Sequence, residues 1–212
     1  MKIAVFGATG GTGRQVVEQA LAAGHQISAL ARNPAKLALT NDNLTIVAGN
    51  VLDAIEVEET LQGADAVVVS LGNTDSNPDD VVSQGTQIII SAMQRLGRPQ
   101  RIVIISSLGV GESKDQVPFA FKLLMKSVLK KPMQDKERQE ALLKASGLDW
   151  TIVRPGGLTN GPATGRYKVI RGGSWADTET RLGTVYYRNF TAPDTAQPTV
   201  GFRCAGPAPS TR

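Results

Sequence analysis

From residue 1 to about 155, short apolar runs alternate with segments whose apolar positions recur at helical spacing. Ile3 to Phe6 is a brief apolar run ending in glycines, which predicts a first strand. Gly13 to Ala23 places Val16, Val17, Ala20 and Leu21 on one helical face, and Gly24 closes the segment as a C-terminal cap would. Gln26 to Ala31 and Leu44 to Ala48 read as the second and third strands, followed by a helix from about Ala54 to Leu61. Asp65 to Leu71, through Ala66-Val67-Val68-Val69, is continuously apolar, as a strand covered on both faces must be. Val81 to Leu96 gathers Ile88, Ile89, Ala92 and Leu96 on one helical face. Arg101 to Ser106 predicts a fifth strand, about Met133 to Ala145 a long helix stopped by Gly147, and Trp150 to Arg154 a sixth strand. Strands joined through helices imply right-handed crossovers, and therefore a doubly wound parallel α/β sheet.

After Gly156 the texture changes. Glycine, proline, threonine and serine crowd the chain and no helical period survives; only short strand-like pieces such as Thr184 to Tyr187 and Val200 to Cys204 stand out. An irregular C-terminal tail is expected, frayed over 206–212. Its aromatic residues (Trp175, Tyr186, Tyr187, Phe190, Phe202) imply that it packs on something.

Composition narrows the function classes. With 41% hydrophobic and 20% charged residues, the 212-residue chain has the balance of a globular protein able to bury a core without staples. The single cysteine, Cys204, excludes an intrachain disulfide framework and suits a reducing compartment. Met1 to Phe6 is too short for the apolar region of a secretory signal, and no stretch approaches the roughly 18 apolar residues of a membrane span. A cytoplasmic protein with no membrane contact is expected, as a monomer or weak homo-oligomer. The net charge of +4 is mild, and basic residues are scattered apart from Lys122 to Lys131, so nucleic acid is not the expected partner. No metal site is expected. An anionic cofactor accounts for the positive bias.

The turn after the first strand supplies that cofactor site. Gly7, Gly10 and Gly13 stand three apart between a strand and a helix, with Gly11 between them. Glycines let the backbone turn tightly against a pyrophosphate, and the helix N-terminus offers its free N–H groups to the charge. Thr9 and Thr12 are candidates to cap the helix or donate to phosphate oxygens. In this context the motif predicts a Rossmann-like dinucleotide site. The end of the second strand separates NAD from NADP, because an acid there would bind the ribose diol and repel a 2′-phosphate. Here the residues are Ala31-Arg32-Asn33-Pro34-Ala35-Lys36. Arg32 can grip a 2′-phosphate with its forked donors, with Lys36 beside it, and NADPH is preferred; the alternative is a solvated pair of cations. Later strand ends complete the cleft: Asn50 and Val51 near the adenine, Leu71 and Gly72 beneath the ribose, and Ser106 and Ser107 on the nicotinamide side, each equally readable as an ordinary turn.

The motifs IAVFGATGGTG, SALARNPAKL, GNVLDAIEVEETLQGADAVVVSLG, RIVIISSLGVG and SGLDWTIVRPG, in this order, resemble the atypical short-chain dehydrogenase/reductases over residues 1 to about 170. Within that group the similarity is to NAD(P)H-binding, NmrA-like proteins of the biliverdin reductase B (flavin reductase) type. The resemblance implies a reductase of flavins or other planar acceptors, and it adds Pro155 to the cofactor-binding set. It also implies a catalytic serine and lysine, matched by Ser107 (or Ser106) and Lys136. The tyrosine usual four residues before the lysine is replaced by Pro132, as the flavin-reductase-like relatives also lack it. Lys136 would bind ribose hydroxyls, or else be a solvated helix residue paired with Glu140 one turn on. His25, the only histidine, reads as structural.

Residues 171–212 form a separate appendage in this reading. Arg171-Gly172-Gly173-Ser174-Trp175, Arg188-Asn189-Phe190 and Gly201-Phe202-Arg203-Cys204 resemble the C-terminal end of the formylglycine-generating enzyme/sulfatase-modifying factor family. Asp177 and Leu182 stand where that family's enzymes carry cysteines, so its oxidative chemistry is not implied. Three readings remain: an NADPH-dependent reductase; a non-catalytic NADP-sensing or scaffold protein, for which the missing tyrosine and the altered tail speak; and a tail that is a binding module tethered to a vestigial domain.

Overall fold

The computed structural model describes residues 1–74, 77–99, 101–117, 129–156 and 158. The tail motifs and most of the basic run from Lys122 lie outside the described residues.

Six parallel strands form one sheet in the order β3-β2-β1-β4-β5-β6: β1 Lys2–Phe6, β2 Gln26–Ala31, β3 Leu44–Ala48, β4 Ala66–Val69, β5 Arg101–Ile105 and β6 Asp149–Val153. The helices are α1 Gly11–Ala22, α2 Ala54–Leu61, α3 Val81–Leu96 and α4 Lys130–Lys144. This is the doubly wound Rossmann-like fold. The strand order reverses between β1, which continues outward through β2, and its other neighbour β4.

The alternation of strand side chains decides which helix covers which face. In β1, Ile3 and Val5 join Val16 and Val17 of α1 and Ile27 and Ala29 of β2 in one apolar cluster. Ala4 and Phe6 point the other way, into a larger cluster with Val57 and Leu61 of α2, Ile89 and Met93 of α3, and Leu143 of α4. Phe6 is wholly buried there, and truncating such a residue to alanine costs about 3–5 kcal/mol.

The boundaries differ from the pattern in instructive places. α1 begins at Gly11, and its N-cap is Gly10 with no side-chain hydrogen bond, so neither Thr9 nor Thr12 caps it. α4 begins at Lys130, earlier than the apolar period suggests, with Pro132 inside its first turn, where a missing N–H costs no helical bond. β4 is shorter than its apolar run, Ala66–Val69 against 65–71, although the Asp65 and Ser70 amides still donate to the Lys2 and Phe6 carbonyls of β1 at its two ends. Two 3-10 segments were not legible: Pro34–Lys36, capped by Asn33 Oδ1 accepting from Ala35 N at 3.1 Å, and Gly111–Gln116.

Candidate functional site

The carboxyl ends of the strands open onto one cleft of about 660 Å³. Every candidate cofactor-binding or catalytic residue lines it except Gly13: Gly7, Thr9, Gly10, Gly11 and Thr12 from the first turn, Arg32 and Lys36 after β2, and Asn50 and Val51 after β3. Leu71 and Gly72 after β4, Ser106 and Ser107 after β5, Lys136 on α4 and Pro155 after β6 complete it.

Gly13 sits beneath the cleft. A Cβ there would lie 2.1 Å from the Gly7 carbonyl oxygen and 2.6 Å from Ser70 Oγ. Gly7 has φ +84°, and a Cβ on it would meet the Ser70 carbonyl oxygen at 2.6 Å. The Ser70 hydroxyl, in turn, donates to the Phe6 and Gly7 carbonyls at 3.2 and 3.3 Å. These contacts draw β1, β4 and α1 together at the point where the sheet reverses. Gly10 is different. Nothing lies nearer than 3.4 Å to a Cβ built on it, so the fold does not need glycine there. The space a side chain would fill stands over the uncapped N-terminus of α1, which has no acidic residue in its first turn. That is the cradle a dinucleotide pyrophosphate fits.

Arg32 and Lys36 are both exposed in the cleft beyond β2. Arg32 is not simply solvated, because its guanidinium donates to Asn77 Oδ1 from the loop before α3. Val51 is buried under α3, where Gly85 lets the helix approach: a Cβ on Gly85 would meet both Val51 methyls at 2.9 Å.

The opposite end of the cleft is built from side chains. Lys136 is half-buried and its Nζ donates to the Ile105 carbonyl at 3.1 Å. Burial lowers its pKa, while the neighbouring carboxylates Asp135 and Glu140 oppose that shift. The solvated Lys136–Glu140 pair is corrected here: Glu140 is buried and accepts instead from the Ser106 hydroxyl at 2.6 Å and from Arg154. Ser106 thus turns its hydroxyl to the protein, whereas Ser107 makes only a 3.2 Å bond to the adjacent Leu108 carbonyl and is half-buried. Hydrogen bonds to Glu140 hold the Arg154 pKa above its ordinary value. Glu112, also bonded to Arg154, feels burial that disfavours its charge, yet Lys144, a backbone bond and Arg154 together lower its pKa to about 2. His25 is not among the lining residues.

Three residues take partners that the sequence does not show. Asp135 is fully buried and accepts from Val82 N at 2.9 Å and Ser83 N at 3.1 Å, capping α3 from another helix. Asn73 lines the cleft, its Nδ2 held by the Asp79 carbonyl at 2.7 Å. Glu140 is the third. Asp135 and Glu140 have no local signal, since their partners lie on other elements, and the Asn73 bond spans six residues of one irregular loop.

Among the described residues no helix is long and apolar enough to cross a membrane. The chain matches the NAD(P)H-binding family over residues 7–184. Reductase pytE of Aspergillus terreus is 32% identical, the match covering 81% of each chain. The photosystem II assembly factor Ycf39 of Cyanophora paradoxa is 31% identical over 80% of this chain, which spans 49% of that relative. Among solved structures, ChuY, an anaerobillin reductase of Escherichia coli O157:H7, has a TM-score of 0.67 at 26% identity, covering 82% of this chain and 81% of its own. The glycine turn, the cleft at the reversal of the sheet and a match along most of the sequence agree: the chain belongs to the NAD(P)H-binding family and is an oxidoreductase of it.

Proposed function

We propose that the chain is an NADPH-dependent reductase of a flavin or a related planar acceptor. The observation that carries the cofactor choice is the pair Arg32 and Lys36 in the cleft beyond β2, where an NAD-selective site would place an acid. The pyrophosphate would lie on the Gly7–Gly13 turn and the 2′-phosphate against Arg32, with Lys36 beside it. Asn50, Val51, Leu71 and Gly72 would flank the adenosine, and Ser106, Ser107 and Pro155 the other end.

Bound NADPH would supply the hydride, so the protein's task is to orient two rings and exclude water. Ser107 is the hydroxyl free to bond the carboxamide or the acceptor. Lys136 would bind ribose hydroxyls with the donors that Ile105 does not take. Pro132 has no proton to give, so the acceptor's proton would come from solvent. Reduction of a small-molecule acceptor is supported by the likeness to ChuY, an anaerobillin reductase. Residues 171–212 enter only as an appendage to a 1–170 reductase domain, on their resemblance to the sulfatase-modifying factor family.

The second reading, an NADP-sensing or scaffold protein, is favoured by Pro132 in the tyrosine's place and by the assembly-factor relative. Steady-state oxidation of NADPH with FMN, riboflavin or a linear tetrapyrrole as acceptor separates the two. Turnover above background supports the reductase. Tight NADPH binding with no turnover on any of them overturns it in favour of the sensor.

A further inference from the structure

The β5–β6 end of the cleft stands on a buried ion pair that neither the glycine turn nor hydride transfer requires. Glu140 is 2% exposed. Its Oε1 accepts from Ser106 Oγ at 2.6 Å and Arg154 Nε at 2.8 Å, and its Oε2 accepts from the Arg154 guanidinium at 2.6 Å. This is a two-pronged carboxylate–guanidinium pair, a geometry that lysine cannot reproduce. Gly111, at φ +55°, closes over it: a Cβ there would lie 2.7 Å from Glu140 Oε2 and 2.9 Å from Arg154. Such a pair adds little net stability, because desolvation offsets most of its attraction. Its location is what distinguishes it.

Glu140 follows Lys136 by one turn of α4, so the two side chains leave the same helical face. Lys136 bonds the carbonyl of Ile105 while Glu140 bonds the hydroxyl of the next residue, Ser106. Arg154 immediately precedes Pro155, and the two strand ends are themselves tied, Ser106 N to the Val153 carbonyl and Leu108 N to the Pro155 carbonyl, each at 2.8 Å. One carboxylate therefore sets the register of α4 against the ends of both β5 and β6.

We infer that Glu140, clamped by Arg154, is the positioning residue of this end of the cleft: it fixes Ser106 and Pro155 in place and holds the face of α4 that carries Lys136 where the nicotinamide half of the cofactor would lie. The inference rests on the proposed placement of NADPH. Lys136 is faced by Asp135 and Glu140 from its own helix, with Arg154 beyond β6 and Glu112 of the 3-10 segment joined to Glu140 in the same charge network. Burial works against its charge and the two carboxylates work for it. Removing the Glu140 charge leaves burial less opposed, so Lys136 would lose its proton at lower pH.

Calorimetric titration of the full chain with NADPH and with adenosine 2′,5′-bisphosphate, from neutral to alkaline pH, tests this in wild type, Glu140→Asp and Glu140→Gln. The bisphosphate reports only the adenosine end. Glu140→Asp keeps the buried charge but cannot reach Ser106 and Arg154 together. It should weaken NADPH about tenfold at every pH while changing the bisphosphate by less than about twofold. Glu140→Gln should show the same split and, in addition, begin to lose NADPH affinity at lower pH than wild type. If Glu140→Gln does not fold, Glu140→Asp decides alone. Equal losses for both ligands, or wild-type affinity for NADPH in Glu140→Asp, overturn the positioning role while leaving the cofactor reading intact. Wild type that binds neither ligand removes the cofactor reading and this inference with it.

Discussion

The two ends of the cleft are made of different materials. At the β1–α1 end the groups that the proposed cofactor would meet are main-chain N–H groups, and the residues that open them are those lacking a side chain, Gly7, Gly10 and Gly13. At the β5–β6 end those groups are side chains, held by a network that joins Ser106, Glu112, Lys136, Glu140 and Arg154 across four segments. A backbone site of the first kind is rigid by construction and tolerates little change beneath it. A side-chain site of the second kind is only as well placed as its partners, so it can be retuned without rebuilding the sheet. In a family whose members act on different substrates, the first end suits the shared cofactor and the second suits chemistry that varies.

The contrast is most exposed to test at the glycines. Gly13→Ala forces a Cβ to 2.1 Å from the Gly7 carbonyl oxygen, a main-chain atom that no rotamer change can move, and to 2.6 Å from Ser70 Oγ. It should cost about 3 kcal/mol in chemical denaturation and abolish NADPH binding. Gly10→Ala meets nothing closer than 3.4 Å, so stability should stay within about 1 kcal/mol of wild type. NADPH binding should nevertheless fall at least tenfold in that variant, because the methyl fills the phosphate cradle. Equal destabilisation by both substitutions would break the distinction between glycines of the fold and glycines of the ligand.

At the other end, Asp135→Ala strands the amide groups of Val82 and Ser83 at the start of α3. A loss of about 2 kcal/mol is expected by denaturation, with Asp135→Asn restoring part of it. An unchanged midpoint would mean that Asp80, adjacent to the helix, takes over as the cap.

The smallest effect concerns pH. Glu112 has a folded pKa of about 2 against an ordinary 4.5, so its contribution to stability is complete above the ordinary value and is lost as pH falls between the two. The carboxylate is half exposed, and screening holds the contribution below about 1 kcal/mol. Wild type should therefore exceed Glu112→Gln slightly at neutral pH, and the difference should vanish toward pH 2 in parallel melting curves. A difference that grows on acidification would reverse the assigned sign.

The same contrast explains what was legible in the sequence. β2, β3, α2 and α3 were readable to the residue because local apolar periodicity and short polar stops define them. The glycine turn was readable because its residues are contiguous and each has one physical reason. Arg32 and Lys36 followed from their place at a strand end. The Glu140 pairing was missed because on helical spacing alone Lys136 was the obvious partner. Only the return of β6 beside β5 brings Arg154 and Ser106 within reach. Asp135 was invisible for the same reason, as it caps a helix that starts 54 residues earlier in the chain. Periodicity reports what a residue does within its own element, and these residues act between elements.

The most direct test of the central claim is calorimetric titration of wild type and Arg32→Glu with NADPH and NADH. The account predicts that wild type prefers NADPH by about tenfold or more, and that Arg32→Glu reverses the preference with an unchanged melting temperature. Equal affinity for the two cofactors in wild type, or an undiminished NADPH preference in Arg32→Glu, would contradict it.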